Sequence, residues 1–320
     1  MTDSPIWAIT SYFNPASYVR RRDNYRLFRE RLNVPLIAIE HAFDGPFALG
    51  PKDAEVLVEC RGGDVMWQKE RLLNAALRAL PAACRYVVYI DCDVFFAQDD
   101  WSRRLPDALE RTPVVQPFRM THHLPFGVSS PTAEQAFFHQ YSLAARVADG
   151  SPARECIGWA INLREQPVAP GGAIAFRREL LEPHGAYDAC IIGGGDLATI
   201  AGAYGCFDVV PEMLAMSPAH RAHYLAWAEP FARATAGAVG CLSDVDLYHL
   251  WHGKPVNRMY NSRHLTLRQF EFDPAVDIAM TDDGGPWRWN SNKPVLHQFL
   301  KSYFASRAED ELPNPPIARK

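Results

Sequence analysis

The 320-residue sequence has no apolar run long enough to cross a bilayer, and no basic N-terminal segment followed by an apolar stretch. We therefore expect neither secretion nor an integral membrane segment. It also lacks any Cys-x-x-Cys pair. Its seven cysteines stand apart at 60, 84, 92, 156, 190, 206 and 241, which argues against a disulfide framework or a cysteine zinc site and favours a reducing, cytoplasmic setting. An excess of positive charge is missing too: the formal net charge of -4 argues against a general nucleic-acid binder, so no nucleic acid is expected as a partner. No Walker-type Gly-Lys-Ser/Thr loop and no internal repeat occur.

What is present is a core-forming composition, 48% hydrophobic and 22% charged, sufficient for one large α/β domain or two smaller ones. Short apolar runs alternate with helical patterns over the first ninety residues or so, the sequence form of a parallel sheet with crossover helices. Strands are expected at Ile6–Tyr12, Leu36–Glu40, Val56–Cys60 and Tyr86–Ile90. Between the first two, Ser17 is placed to cap a helix carrying Tyr18, Tyr25, Phe28 and Leu32 on one face, with Arg20, Arg21 and Arg22 on the basic opposite face. Between the last two, Asp64 is placed to cap a helix whose Met66, Leu73, Leu77 and Leu80 stop at Pro81. Further on, the pattern predicts a strand at Val114–Phe118, a helix over Thr132–Ala148, a strand at Gly172–Phe176 and a mobile Pro-rich tail.

The run Tyr86-Val-Val-Tyr-Ile-Asp-Cys-Asp93 puts two acids just past the end of an apolar strand, where open α/β sheets bind ligands. Side chains two apart on an extended chain point the same way, so Asp91 and Asp93 can both face one Mg²⁺ or Mn²⁺. Two acids can also simply end a strand and start a turn. Asp244-Val-Asp246 has the same spacing without the preceding strand and reads as structural.

A second cluster, Ala189-Cys-Ile-Ile-Gly-Gly-Gly-Asp196, sets three glycines before an acid and a helical pattern from about Leu197. Asp196 there can cap the helix, face a ligand, or both. Asp244–Leu250 alternates like a strand and runs into His249-Leu-Trp-His252-Gly. Because side chains diverge at a strand end, one metal ligand is expected there, His252, with His249 as a buried core histidine. Lys254, Arg258, Tyr260, Arg263 and His264 then concentrate donors suited to closing over a diphosphate, or to a plain solvated loop.

Taken together, residues 5–260 resemble the GT-A glycosyltransferases, in particular the broad group of bacterial family 2-like enzymes. The resemblance is carried by Tyr89-Ile-Asp-Cys-Asp93, Gly171-Gly-Ala-Ile-Ala-Phe-Arg177, Gly185-Ala-Tyr-Asp188 with Gly194-Gly-Asp196, and His249-Leu-Trp-His252, in that order. It implies a Rossmann-like α/β fold with a mixed, mostly parallel central sheet flanked by helices. The implied organisation is a transferase domain at 1–255, with a nucleotide-binding half at 1–96 and an acceptor half at 97–255, and an extension at 256–320 closing over the site.

The resemblance further implies a metal-dependent enzyme, using Mn²⁺ or Mg²⁺, that moves a hexosyl or N-acetylhexosaminyl group from a nucleotide-diphosphate sugar, UDP-linked by preference, to a carbohydrate or other hydroxyl acceptor with inversion. Asp93 and His252 would hold the metal, with Asp91 near it or the ribose. Ser11, Glu40, Lys69 and Arg258 would contact the nucleotide and its phosphates, Trp159, Gly194 and Gly195 the acceptor, and Asp196 would be the base. Family members commonly carry an acid before that base, where this chain has Gly195. The competing readings are metal-dependent phosphoryl or nucleotidyl transfer, and a non-catalytic nucleotide-sugar-binding module of the same fold. Phosphotransferases with an Asp-x-Asp after a strand continue into Thr or Val two residues later, where this chain has Phe95.

Overall fold

In the computed structural model, which describes residues 3–128, 131–160, 167–260 and 262–312, the first four apolar runs are strands. They are β1 (Ile6–Phe13), β2 (Leu36–His41), β3 (Val56–Cys60) and β4 (Tyr86–Ile90). β1 pairs in parallel with β2 and β4, and β2 with β3. A seven-stranded sheet is completed beyond β4 by Ala173–Arg177, Val114–Gln116 and Val239–Cys241, the first of these antiparallel to both its neighbours. The mixed, mostly parallel α/β sheet is thus the architecture that the family resemblance implied, and the parallel part is what the alternation over the first ninety residues predicted.

β1 lacks polar alternation because both its faces are buried. Trp7, Ile9 and Phe13 enter one apolar layer, and Ile6, Ala8 and Tyr12 the other. Thr10, the polar residue in the middle of the strand, donates its hydroxyl to the Ile90 carbonyl at 2.7 Å and fixes the end of β4 beside it. A second, five-stranded sheet runs Val94–Phe96, Asp246–His249, Met120–His123, Phe138–Ser142, Val168–Ala169. It abuts the end of β4, since Val94 follows the acidic turn directly.

Several local expectations are corrected. The helix expected over Thr132–Ala148 is a short turn, a strand at Phe138–Ser142 and a helix at Leu143–Ala148. Antiparallel pairing of Phe138–Ser142 with Met120–His123 overrides helix propensity there. Ser142 then caps the helix by accepting from the Ala145 amide at 3.0 Å. Pro117, which has no amide hydrogen to give the sheet, follows a strand shorter than expected at Val114–Gln116. Asp64 caps no helix; its carboxylate accepts from the Trp289 amide at 2.8 Å, and α2 (Lys69–Ala76) starts one turn later.

Ser17 is not a cap either: it sits at φ 56° and α1 (Val19–Arg31) begins after Tyr18. The cap comes from the far end of the chain, where Asp310 accepts from the Val19 and Arg20 amides at 3.0 and 2.8 Å. Tyr18 completes the seam, with its hydroxyl 2.7 Å from the Ala305 carbonyl and accepting from the Ala308 amide at 2.9 Å. Arg21 likewise leaves the expected solvent face and turns inward to pair with Glu309 through two bonds of 2.8 and 2.9 Å. Leu296, Leu300, Tyr303 and Phe304 enter the same apolar layer as β1. The expected mobile tail at 313–320 lies outside the described residues.

Glu309 is 1% exposed and also meets Arg307 at 2.8 Å and Arg258 at 3.6 Å. Burial alone would raise its carboxyl, but Arg21 and Arg258 outweigh that and hold it below the usual range. Glu309→Ala should cost about 3–5 kcal/mol in urea unfolding, because it leaves buried guanidinium groups unpaired. The stabilisation from the lowered carboxyl is complete above the ordinary glutamate range and is lost as pH falls through the folded value. Glu309→Gln should therefore flatten the acid side of the stability-versus-pH curve.

Candidate functional site

β4 stops at Ile90, and Asp91-Cys92-Asp93 is a turn rather than more strand. The Asp91 amide donates to the Gly172 carbonyl at 2.9 Å, so the turn is held against the start of the antiparallel strand. Pleat alternation does not continue through it, and the two carboxylates part. Asp91 reaches Lys69, Oδ1 to Nζ 2.6 Å. Asp93 turns toward the second sheet. The expectation that both face one cation is corrected on this account: among the described residues, the group able to hold a metal is Asp93, His249 and His252.

The histidines reach Asp93 through backbone pairing. Val94–Phe96 runs antiparallel to Asp246–His249 with His249 opposite Val94, and the Leu250 amide donates to the Asp93 carbonyl at 2.8 Å. The chain bends after His249, so His252 folds back instead of diverging. His252 Nδ1 lies 3.5 Å from Asp93 Oδ2 and 3.0 Å from His249 Nδ1, and His249 Nε2 lies 3.9 Å from Asp93 Oδ1. His249 is therefore not a secluded core histidine; it lines the same cavity and stacks on His123 with ring centres 5.0 Å apart. Burial first, then Arg258, His249, His123 and Arg21, push the His252 imidazole well below its ordinary pKa, which keeps it in the neutral form that can ligate a metal. Two imidazoles and one carboxylate that converge on an open cavity suit a divalent ion that keeps positions free for a ligand.

The cavity, about 320 Å³, opens at the carboxyl ends of β1 and β4. Its lining also includes Asp196, in the first turn of the helix Gly195–Ala203. Lys69, at the start of α2, joins the two acids: its Nζ is 2.8 Å from both Asp196 oxygens as well as 2.6 Å from Asp91. Burial pulls the Lys69 pKa down, but Asp196 and Asp91 outweigh it and hold the ammonium well above its usual range. The Asp196 carboxyl is raised by burial first, opposed by Lys69 and reinforced by Asp91. Two glycines give the acids room. A Cβ on Gly171 would lie 2.3 Å from Asp196 Oδ2, and one on Gly195 would lie 2.3 Å from Glu70 Cδ.

Glu70 escaped the sequence reading. It is 3% exposed, accepts from Trp67 Nε1 at 3.1 Å, and leaves Oε1 without a partner. Burial, with Asp196 adding to it, pushes its carboxyl up to about 8. The signal available in the sequence was Gly195 itself, a position that excludes a side chain because another one occupies the space.

Of the remaining expected residues, Ser11, Arg258 and Gly194 line the cavity, while Gly195 lies behind it against Glu70. Glu40 is corrected: it is 3% exposed, and its two carboxylate oxygens accept from the Ala48 and Leu49 amides at 2.7 and 2.9 Å, bracing a loop away from the cavity. Trp159 is corrected as well. It packs against the core outside the cavity, whereas Trp67 and Trp251 line it. The Trp251 indole N–H is buried without a partner. Arg263, one of the donors expected to close over a diphosphate, lines the cavity, as do Arg21 and Arg307, which the sequence did not mark as site residues.

No family model matches this chain, and no curated protein matches it. Among solved structures, it is similar to TarS residues 1-349 of S. aureus, at 11% identity and TM-score 0.37, covering 82% of this chain and 64% of that one. It is also similar to the mannosyltransferase PcManGT of Pyrobaculum calidifontis, at 15% identity and TM-score 0.41, covering 94% and 69%. A third is glucosyl-3-phosphoglycerate synthase of Mycobacterium tuberculosis, at 13% identity and TM-score 0.36, covering 87% and 83%. No helix among the described residues is long and apolar enough to cross a membrane.

Gly195→Ala should cost about 1–3 kcal/mol by overpacking against Glu70. Combined with Glu70→Ala, most of that cost should disappear. A double-mutant cycle in urea checks this, and additive losses would mean that the two positions do not compete for one space.

Proposed function

We propose that this chain is a divalent-metal-dependent glycosyltransferase of the GT-A type. The observation that carries the reading is one cavity, at the carboxyl ends of parallel strands, whose lining includes both the Asp93, His249 and His252 group and Asp196. A mixed set of imidazole and carboxylate donors suits Mn²⁺ better than Mg²⁺, which prefers an all-oxygen shell. When bound, the cation supplies charge stabilisation for a departing diphosphate.

The chain's own groups do the rest. Arg21 and Arg258, beside the metal-ligand wall, add positive charge for the phosphates, and Ser11 at the end of β1 offers a hydroxyl to the nucleotide. Asp196 accepts the proton of an acceptor hydroxyl as that oxygen bonds to the anomeric carbon and the bond to the diphosphate breaks, a single displacement that inverts configuration. Lys69, shared between Asp91 and Asp196, keeps Asp196 ionised before the transfer. Trp251, with its unpartnered indole N–H, offers both a ring face and a donor to a sugar. A UDP-linked hexose or N-acetylhexosamine is the donor we favour.

The described residues from 256 to 312 form the cover. Arg258, Tyr260, Arg263, His264 and Arg307 all face the cavity, and the Glu309 and Asp310 contacts anchor the segment to α1. All seven cysteines are free thiols, which supports a reducing compartment.

A thermal-shift panel of UDP, GDP and their sugars, with Mn²⁺, Mg²⁺ or chelator, tests the reading. Metal-dependent stabilisation by a nucleoside diphosphate is expected in the native chain and should vanish in Asp93→Ala. Asp196→Asn should keep that stabilisation and lose about 10²–10⁴ in transfer rate. Release of pyrophosphate in place of nucleoside diphosphate would identify nucleotidyl transfer and overturn the proposal.

A further inference from the structure

Arg263 is a buried cation with no counter-charge. It is 8% exposed and lines the cavity, yet among the described residues it forms no ion pair. Its hydrogen-bond partners are neutral: Nη1 donates to the Tyr303 hydroxyl at 2.6 Å and the Arg258 carbonyl at 3.4 Å, and Nε points at His264 Nε2 at 3.3 Å. The rings of Tyr260 and Tyr303 flank the guanidinium with centres 5.2 and 5.7 Å away. Among the described residues, Nη2 makes no hydrogen bond. The other guanidiniums on this side, Arg21, Arg258 and Arg307, share Glu309. Burial of a charge without a partner is costly, so an unpaired guanidinium facing a cavity calls for an anionic ligand.

What lies in front of Nη2 points the same way. A Cβ on Gly193 would come within 3.0 Å of that atom, and one on Gly194 within 3.3 Å of His264 Cε1. Gly193 and Gly194, at φ 95° and 102°, lead directly into the helix Gly195–Ala203, whose first-turn amides have no acceptor one turn back. Asp196 shares the Lys69 ammonium with Asp91, burial pushes the Glu70 carboxyl up to about 8, and burial pushes the His264 imidazole down to about 3, so the groups beside Arg263 on this side carry at most the one negative charge that Lys69 does not offset. Arg258 donates to the His252 carbonyl and so belongs to the metal-ligand side, whereas Arg263 borders the glycine turn that delivers Asp196.

We propose that Arg263 and the Gly193–Gly195 turn form an oxyanion subsite for the acceptor, so that the acceptor carries a phosphate or carboxylate close to the hydroxyl that Asp196 deprotonates. The assignment to the acceptor rests on the transferase reading above. A wholly neutral sugar acceptor would leave the guanidinium uncompensated in the working complex.

The test is calorimetric titration of the full chain with sodium sulfate against a sodium chloride control of equal ionic strength, with and without saturating Mn²⁺ and UDP or GDP. Sodium acetate is run in parallel to separate a tetrahedral dianion from a carboxylate. Saturable sulfate or acetate binding that persists with nucleotide bound, and weakens about tenfold or more in Arg263→Gln, is the expected result. Binding that nucleotide abolishes would assign Arg263 to the donor phosphates and overturn the acceptor subsite. Oxyanion binding no different from chloride, or unchanged in Arg263→Gln, would overturn it outright. Should Arg263→Gln fail to fold, the competition in native protein and the charge-retaining Arg263→Lys, expected to bind more weakly than native, decide the question. If neither nucleotide binds while the oxyanion still does, the transferase reading fails and an Arg263 anion site stands without it.

Discussion

The arrangement of the cavity turns on one ammonium group. Lys69 Nζ sits between carboxylates delivered by separate parts of the chain, Asp91 from the end of β4 and Asp196 from the glycine turn. Without it, two acids and the neighbouring Glu70 would crowd one buried corner, and like charges at that distance cannot all stay ionised. With it, the corner holds two carboxylates and one neutral acid, and Asp91 is drawn away from Asp93. That diversion leaves the metal-ligand wall to Asp93 and the histidines. The cavity therefore carries two distinct side-chain groups, Asp91 and Asp196 on Lys69 and Asp93 with the histidines, because of where α2 begins.

The parts of this arrangement that the sequence made legible are those governed by burial. β1 to β4 were visible as apolar runs because both faces of the sheet are covered, and the acid turn was visible because it follows such a run. Side-chain direction was not. Asp91 and Asp93 part because the chain turns at Cys92, and His249 joins His252 because Val94–Phe96 pairs with Asp246–His249. Both facts depend on contacts between segments far apart in sequence, which local spacing does not encode. Glu40 shows the converse: a strand-end acid in a favourable position whose oxygens are both taken by a neighbouring loop. Trp159 and Trp251 are indistinguishable by residue type, and only packing separates the one that lies against the core from the one in the cavity.

Absence of a side chain was the most informative signal overlooked. Gly195 seemed to be a missing acid, yet the space beside it is filled by Glu70 from another helix. Gly171 plays the matching role for Asp196. In both cases the constraint is steric, and it shows in the sequence only as glycine where a larger residue would be unremarkable. Helix capping was illegible for a related reason. The groups that satisfy the first amides of α1 come from Asp310, and no rule of local sequence reaches that far.

The chain order of these contributions fixes when each function can come into being during synthesis. Lys69 and Asp91 emerge early, and the acid corner is complete once Asp196 has been made. The three-residue metal group waits for His252. Asp310 follows all of these in chain order, so α1 stays uncapped until the segment that carries Asp310 has been made. A nascent chain that stalls between these points would carry Asp196 without His249 and His252, or all three without Arg263 and Arg307. Such a fragment is chemically incomplete even where its central sheet is already paired.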